Sequence, residues 1–165
     1  SNVFTDPEIA TVGVTQAEVD GGAPNIVSVK LPLATNARAK MQGVHDGFVK
    51  LFCRPGTGIV VGGVVVAPRA SELIHPVSVA VAESLTADQL AKAFTVYPSM
   101  SGSVAEAVEA LAKLSAEMDT FKVQYANPLF RLPMTFIEIF PVGVLVSLVS
   151  AGLLRNSRFL PARRA

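Results

Sequence analysis

His45-Asp46, Cys53-Arg54, Gly56-Thr57-Gly58, His75-Pro76 and Tyr97-Pro98 are the places where residue type and neighbour could support chemistry. His45 beside Asp46 could make an imidazole–carboxylate dyad. Adjacent residues on a turn rarely face each other, so His45 reads as an exposed loop histidine. Arg54 next to Cys53 could lower a thiol pKa, but a lone strand cysteine reads as a small core residue. Gly56-Thr57-Gly58 echoes a nucleotide-binding glycine motif. That motif must leave a strand and open a helix so that phosphates meet a helix N-terminus. Here the glycines lead into a strand, so the stretch reads as a hairpin turn and supplies no dinucleotide site. His75 precedes Pro76 inside an expected helix, which the proline would kink; it reads as a packed or interface histidine. No third group at metal-ligand spacing joins either histidine, so no metal site is expected.

Tyr97-Pro98 lies in Thr95–Ser103, T-V-Y-P-S-M-S-G-S, between two expected helices. Linkers seldom hold a large aromatic against a proline, and built sites often do. The bland reading of Tyr97 is an aromatic packed at an interface. X–Pro is the one kind of bond with a small cost for the cis form, so a cis Tyr97-Pro98 bond fits the sequence.

The elements that must position these residues follow from pattern. Phe4–Val14 reads as a strand opened by the Asp6-Pro7 turn. Thr15-Gln16-Ala17-Glu18 is a capping box, opening a short helix that stops at Gly21-Gly22. Asn25–Leu33 is a second strand, and Thr35–Met41 an exposed basic connection. Gly47–Cys53 and Ile59–Ala67 flank Arg54–Gly58 as a hairpin. The run I-V-V-G-G-V-V-V-A is apolar on both faces and is expected to be covered on both, with a bulge or bend at Gly62-Gly63. After Pro68 the period becomes helical over Ser71–Glu83. Thr86–Gln89 and Ser103–Glu106 are further capping boxes, opening helices to about Phe94 and Leu114. Strands first and helices after predict an α+β domain: an antiparallel sheet with helices packed on one face.

Bulk composition bounds the rest. The chain has 165 residues, a net charge of +1 and one cysteine. The charge gives no basis for a nucleic-acid partner, and one cysteine excludes an internal disulfide framework, in keeping with a reducing compartment. The start, S-N-V-F-T-D-P-E, has no charged region followed by an apolar run, so it does not read as a signal peptide. It lacks an initiator methionine and reads as the start of a fragment cut from a longer chain.

Five segments in order, V-F-T-D-P-E-I-A-T-V-G, T-N-A-R-A-K-M, G-F-V-K-L-F-C, G-G-V-V-V-A-P-R-A-S-E-L-I and T-V-Y-P-S-M-S-G-S, resemble one known domain. It is the C-terminal dimerisation domain of the pyridine nucleotide-disulfide oxidoreductases, such as lipoamide dehydrogenase and glutathione reductase. The resemblance implies an FAD-containing homodimer using NAD(P)H, with the cofactor domains in a full-length parent and neither cofactor bound by this fragment alone. Dithiol-handling members carry a His-Pro-Thr-x-x-Glu motif whose His–Glu pair serves the partner's active site. Here Tyr97 stands for the histidine, Ser99 for the threonine and Gly102 for the glutamate. A phenol, with an ordinary pKa of ~10, is a poor substitute for imidazole, and glycine cannot orient it. The family's acid–base positions are therefore not intact, and the chain resembles the quinone-reductase-like branch. There reduced flavin passes electrons to a quinone without a dithiol relay. What the resemblance leaves is a backbone role for Tyr97 and Pro98 beside the partner subunit's FAD, and a dimer interface at Tyr97, Pro98, Ser99 and Ser101.

Residues 113 onward differ in character. Residues 113–132 read as a linker. Pro133–Leu154 is apolar and, at ~1.5 Å per residue, long enough for a ~30 Å hydrocarbon core. Arg155, Arg158, Arg163 and Arg164 follow it, which puts the C-terminus on the cytoplasmic side. The parts are thus a dimerisation domain at 1–112, a single transmembrane-like helix at 133–155 and a basic tail at 156–165. Glu138 is expected to face other helices or the interface, Pro141 to kink the helix, and Gly143, Ser147, Ser150 and Ala151 to form a small-residue face. The segment from Glu138 to Arg155 looks like the last span of a group of small bacterial multi-span membrane proteins of unknown function.

Three readings follow. The first is the dimerisation domain of a quinone-reductase-like flavoenzyme, inactive alone, as a cytoplasmic domain that the C-terminal helix could anchor. The second is a membrane-anchored interaction module, associating through 133–155. The third is a non-biological join of two unrelated fragments.

Overall fold

Val49, Leu51 and Cys53 alternate with Phe48, Lys50 and Phe52, so one set must turn inward. In a computed structural model, which describes residues 1–22 and 25–155, they do so in the middle of a five-stranded sheet. The strands are β1 (Asn2–Val3), β2 (Glu8–Gly13), β3 (Val27–Pro32), β4 (Phe48–Cys53) and β5 (Val60–Ala67). Their order is β1-β2-β5-β4-β3, and every pair is antiparallel. The chain divides into two compact units, the first being Ser1–Thr120 and the second beginning at Phe121.

In the first unit, cross-strand rows decide the core. Val12, Gly63, Leu51 and Val29 lie in register across four strands, as do Ala10, Val65, Val49 and Leu31. Val77 and Ala80 of α4 (His75–Ala82) cover this face, and Val104, Ala107, Val108 and Leu111 of a later helix, α6 (Ser101–Ala126), join the same buried core. Gly63 is what lets α4 lie so close. A Cβ there would sit 2.9 Å from Leu51 Cδ2 and 3.0 Å from Val77 Cγ1.

The opposite rows carry Thr11, Val64, Lys50 and Lys30, and Ile9, Val66, Phe48 and Pro32. Lys30 and Lys50 are direct cross-strand neighbours, a destabilising like-charge pair. Each is drawn aside: Lys30 Nζ lies 4.1 Å from the centre of the Phe48 ring and Lys50 Nζ 5.5 Å from that of Phe52. Lys50 also donates to Gln16 of α1 (Gln16–Asp20). The α+β expectation thus holds as a mixed helix and antiparallel-sheet fold, with α1 as a contact on the second face. The expectation that β5 is covered on both sides is corrected: Val61, Val64 and Val66 are only half-buried. The register shift between Phe52 and Cys53 falls opposite Gly62, where a bulge or bend was expected.

Capping explains several helix starts. Thr15 and Glu18 form the full capping box at α1, and Thr86 and Gln89 form another at α5 (Ala87–Ala91). The Glu8 carboxylate accepts from Ser71 N and Oγ, at 3.1 and 2.8 Å. Those bonds, with Arg69 nearby, hold its pKa below the usual carboxylate range and tie β2 to α3 (Ala70–Leu73).

Other expectations are corrected. Thr35–Met41 is not wholly exposed: Asn36 caps α2 (Ala37–Met41), and Asn36 and Ala39 are buried. Ser71–Glu83 is two helices rather than one, so Pro76 falls in the first turn of α4 instead of kinking a long helix. The third capping box does not form. Helix α6 begins at Ser101, and the Ser103 hydroxyl donates to Met100 O at 2.6 Å. The stretch expected as a linker, 113–132, is helical except at Asn127.

In the second unit, α7 (Pro128–Arg155) runs on through Pro133 and Pro141. Its Arg131–Leu153 segment is 23 residues with mean hydropathy 2.1, and none of its described side chains is buried. Phe136 and Phe140 stack at 5.1 Å. Gly143, Ser147, Ser150 and Ala151 are exposed. The side chains of Glu138 and Arg155, and all of residues 156–165, lie outside the described residues.

Candidate functional site

The loop from Phe94 to Met100 enters α6 through a serine. Ser99 Oγ donates its one proton to Val96 O and accepts from Gly102 N at 3.0 Å. Ser101 Oγ, 2.9 Å away, must then be the donor in the contact between the two hydroxyls. Ser99 therefore does the capping that the sequence pattern assigned to Ser103. Its hydroxyl closes the turn that presents Tyr97-Pro98, and that peptide is cis.

Tyr97 is 76 % exposed, while Gly102 is buried. Both line a small cleft of about 170 Å³ with Glu106 and Glu109. A Cβ on Gly102 would lie 3.5 Å from Ser99 Oγ and 3.6 Å from Asn36 Nδ2, ordinary contact distances. Room for a Cβ exists at position 102, so glycine is not forced there by contact at that atom. Ser99 and Ser101 are brought together with Gly102 at the helix start. Gly102 has no side chain to exchange a proton, and among the described residues the Tyr97 hydroxyl has no partner that would take its own.

Asn36 was not singled out in the sequence, and Glu106 only as the far member of a capping box. Asn36 is 2 % exposed. Its Oδ1 accepts from Arg38 N and Ala39 N, and its Nδ2 donates to Glu106 Oε1 at 3.4 Å. One side chain thus caps α2 and fastens the second turn of α6. Asparagine directly before A-R-A-K-M was the available signal, as an N-cap preference.

The remaining candidates separate. His45 and Asp46 are both exposed, as expected of a loop. His75 is also exposed, which removes the packed reading in this chain and leaves the interface one. Cys53 is fully buried in the core. Burial pushes its thiol up to about 11, the Ser115 hydroxyl pulls against that rise, and the Asp119 charge adds to it. A thiol so placed stays protonated at neutral pH and is no nucleophile. Gly56-Thr57-Gly58 joins β4 to β5, so the glycines form a hairpin turn. Among the described residues no cluster of three His, Cys, Asp or Glu could hold a metal ion.

Residues 1–108 match the family described as pyridine nucleotide-disulphide oxidoreductase, dimerisation domain. The chain belongs to this family. Over 111 residues it is 56 % identical to an NAD(P)H dehydrogenase (quinone) of Mycobacterium tuberculosis, covering 67 % of this chain and 22 % of that protein. Over 107 residues it is 36 % identical to a dihydrolipoyl dehydrogenase of Bacillus subtilis, covering 65 % and 23 %. Among solved structures, LpdA of Mycobacterium tuberculosis superposes with a TM-score of 0.65 at 56 % identity, over 67 % of this chain and 24 % of that one. The chain therefore spans about a fifth of the length of the curated relatives it matches. The family match lies within the first unit and ends within α6, before α7 begins.

Proposed function

We propose that residues 1–112 serve as the dimerisation domain of an FAD-dependent NAD(P)H oxidoreductase of the quinone-reductase type, working as a homodimer. The carrying observation is the pair Tyr97 and Gly102 in the loop that leads into α6. The loop retains the turn and has neither imidazole nor carboxylate at those two positions. The name of the 56 % identical relative, an NAD(P)H dehydrogenase (quinone), supports the same reading. In the parent enzyme the flavin, when bound, supplies the electron transfer. This chain's part is to fix the second subunit and to offer the Tyr97-Pro98 backbone to the partner's FAD. The 76 % exposure of Tyr97 leaves that side of the loop open to a second subunit. The glycine turn Gly56-Thr57-Gly58 leads into β5 rather than into a helix, so it does not serve as a phosphate cradle. Ser99 and Ser101 belong to the same contact. Purified chain mixed with FAD is expected to give no stoichiometric yellow complex after gel filtration. A stable one-to-one flavin complex would refute the claim that the fragment binds no cofactor alone.

A second reading has its own support in α7, which is long and apolar enough to cross a bilayer. On it, the chain is a membrane-anchored association module. Detergent-free fractionation is expected to leave the chain with the membranes; complete recovery in the soluble fraction would exclude an anchor. A join of unrelated fragments predicts instead that the source DNA is discontinuous around the Lys113 codon, which sequencing across that region tests.

A further inference from the structure

Phe94, Val96 and Tyr97, in the loop before α6, are 91, 61 and 76 % exposed. Phe94 is the most exposed large hydrophobic side chain among the described residues. A phenyl ring in water at the tip of an ordered loop forgoes the large area an aromatic can bury. A cavity of about 290 Å³ opens between α4, α5 and α6, with Phe94, Thr95 and Val96 of this same loop along one side of it. Val104 and Val108, almost fully buried, lie at its base, and Pro76, Leu90 and Ala105 line it further. No charged side chain lines the cavity.

A knob and a hole side by side on one surface are the two halves of a self-complementary contact. A two-fold axis passing between them lets each knob reach the other copy's hole. The family's description as a dimerisation domain says what sort of occupant to expect, namely a second copy of this chain. Binding energy at such contacts concentrates in aromatic anchors seated in dry pockets. We propose that Phe94 is the anchor of a two-fold contact between copies of this chain, seated in the cavity between α4, α5 and α6 of the second copy. The inference rests on the homodimer reading above and adds the anchor and its seat.

Sedimentation equilibrium of the full chain in a density-matched nonionic detergent tests it. Wild type is expected to dimerise, and so is the control Phe4→Ser, whose side chain is also exposed, at 80 %. Phe94→Ser is expected to raise the dimer Kd at least about tenfold, with far-UV circular dichroism and Tm unchanged. Ala105→Leu fills the cavity from within and is expected to raise the Kd as well, again with its helical signal intact. If both variants dimerise like wild type, the anchor is refuted. If Phe94→Ser weakens the dimer and Ala105→Leu does not, the cavity is not its seat. A wild type that stays monomeric over the whole concentration range removes the homodimer reading itself, and this contact with it.

Discussion

Leu111 of α6 is fully buried, whereas Leu145 of α7 is 65 % exposed, though both are leucines on long helices. The first unit sorts its apolar residues by face. On α6, Val104, Ala107, Val108 and Leu111 recur at three- and four-residue spacing and are buried in the core, while Glu109 is exposed. Helix α7 does not sort them: Phe136, Ile137, Ile139, Val142 and Leu145 look in all directions and are all more than half exposed. A helix with a polar back declares which side its core lies on. One that is apolar all round asks for an apolar surrounding on every side.

That contrast can be broken at single residues. The largest effect is expected from Leu111→Ala, which should cost about 2–5 kcal/mol in chemical denaturation of the first unit. The matching Leu145→Ala should change the same transition by less than ~0.5 kcal/mol. Equal costs would mean that α7 is buried somewhere in the folded chain.

A middle-sized effect concerns Cys53, whose thiol is raised to about 11 by burial. The unfolded chain releases that proton first, so folded protein binds more protons in the interval between. The contribution is complete below the ordinary thiol pKa and is lost as pH climbs through about 11. Denaturation midpoints of wild type and Cys53→Ala, compared between pH 8 and pH 11, should converge or cross as wild type loses ground. A constant difference would place the thiol in water.

The smallest effect has the opposite sign. Gly102 sits in the first turn of α6 with room for a Cβ, so Gly102→Ala should stabilise the first unit by up to about 1 kcal/mol. Loss of stability there would show that the loop needs glycine for a reason other than space.

Much of the sheet was legible because the alternation along β4 and the hairpin turn are local signals. The capping boxes at Thr15 and Thr86 were legible for the same reason. The failures came from competition between local signals and neighbours. Ser103 has capping-box spacing to Glu106, but Ser99 caps first, and Glu106 turns to Asn36 instead. Residues 113–126 look like a linker by polarity. Yet K-L-S-A-E-M-D-T-F-K-V-Q-Y-A contains neither glycine nor proline, so nothing in it stops a helix already begun at Ser101. At the candidate site, the sequence supplied Tyr97, Pro98 and Gly102. It could not supply the tie between Asn36 and Glu106, which joins residues 70 apart in the chain.

Cys53, the sole cysteine, closes β4 in the fully buried core. A thiol reagent can reach it only when that core parts, so the rate of modification counts openings rather than surface encounters. The protein thus carries its own clock for breathing of the dimerisation domain. A second copy docked on the folded form would make that clock run slower as concentration rises.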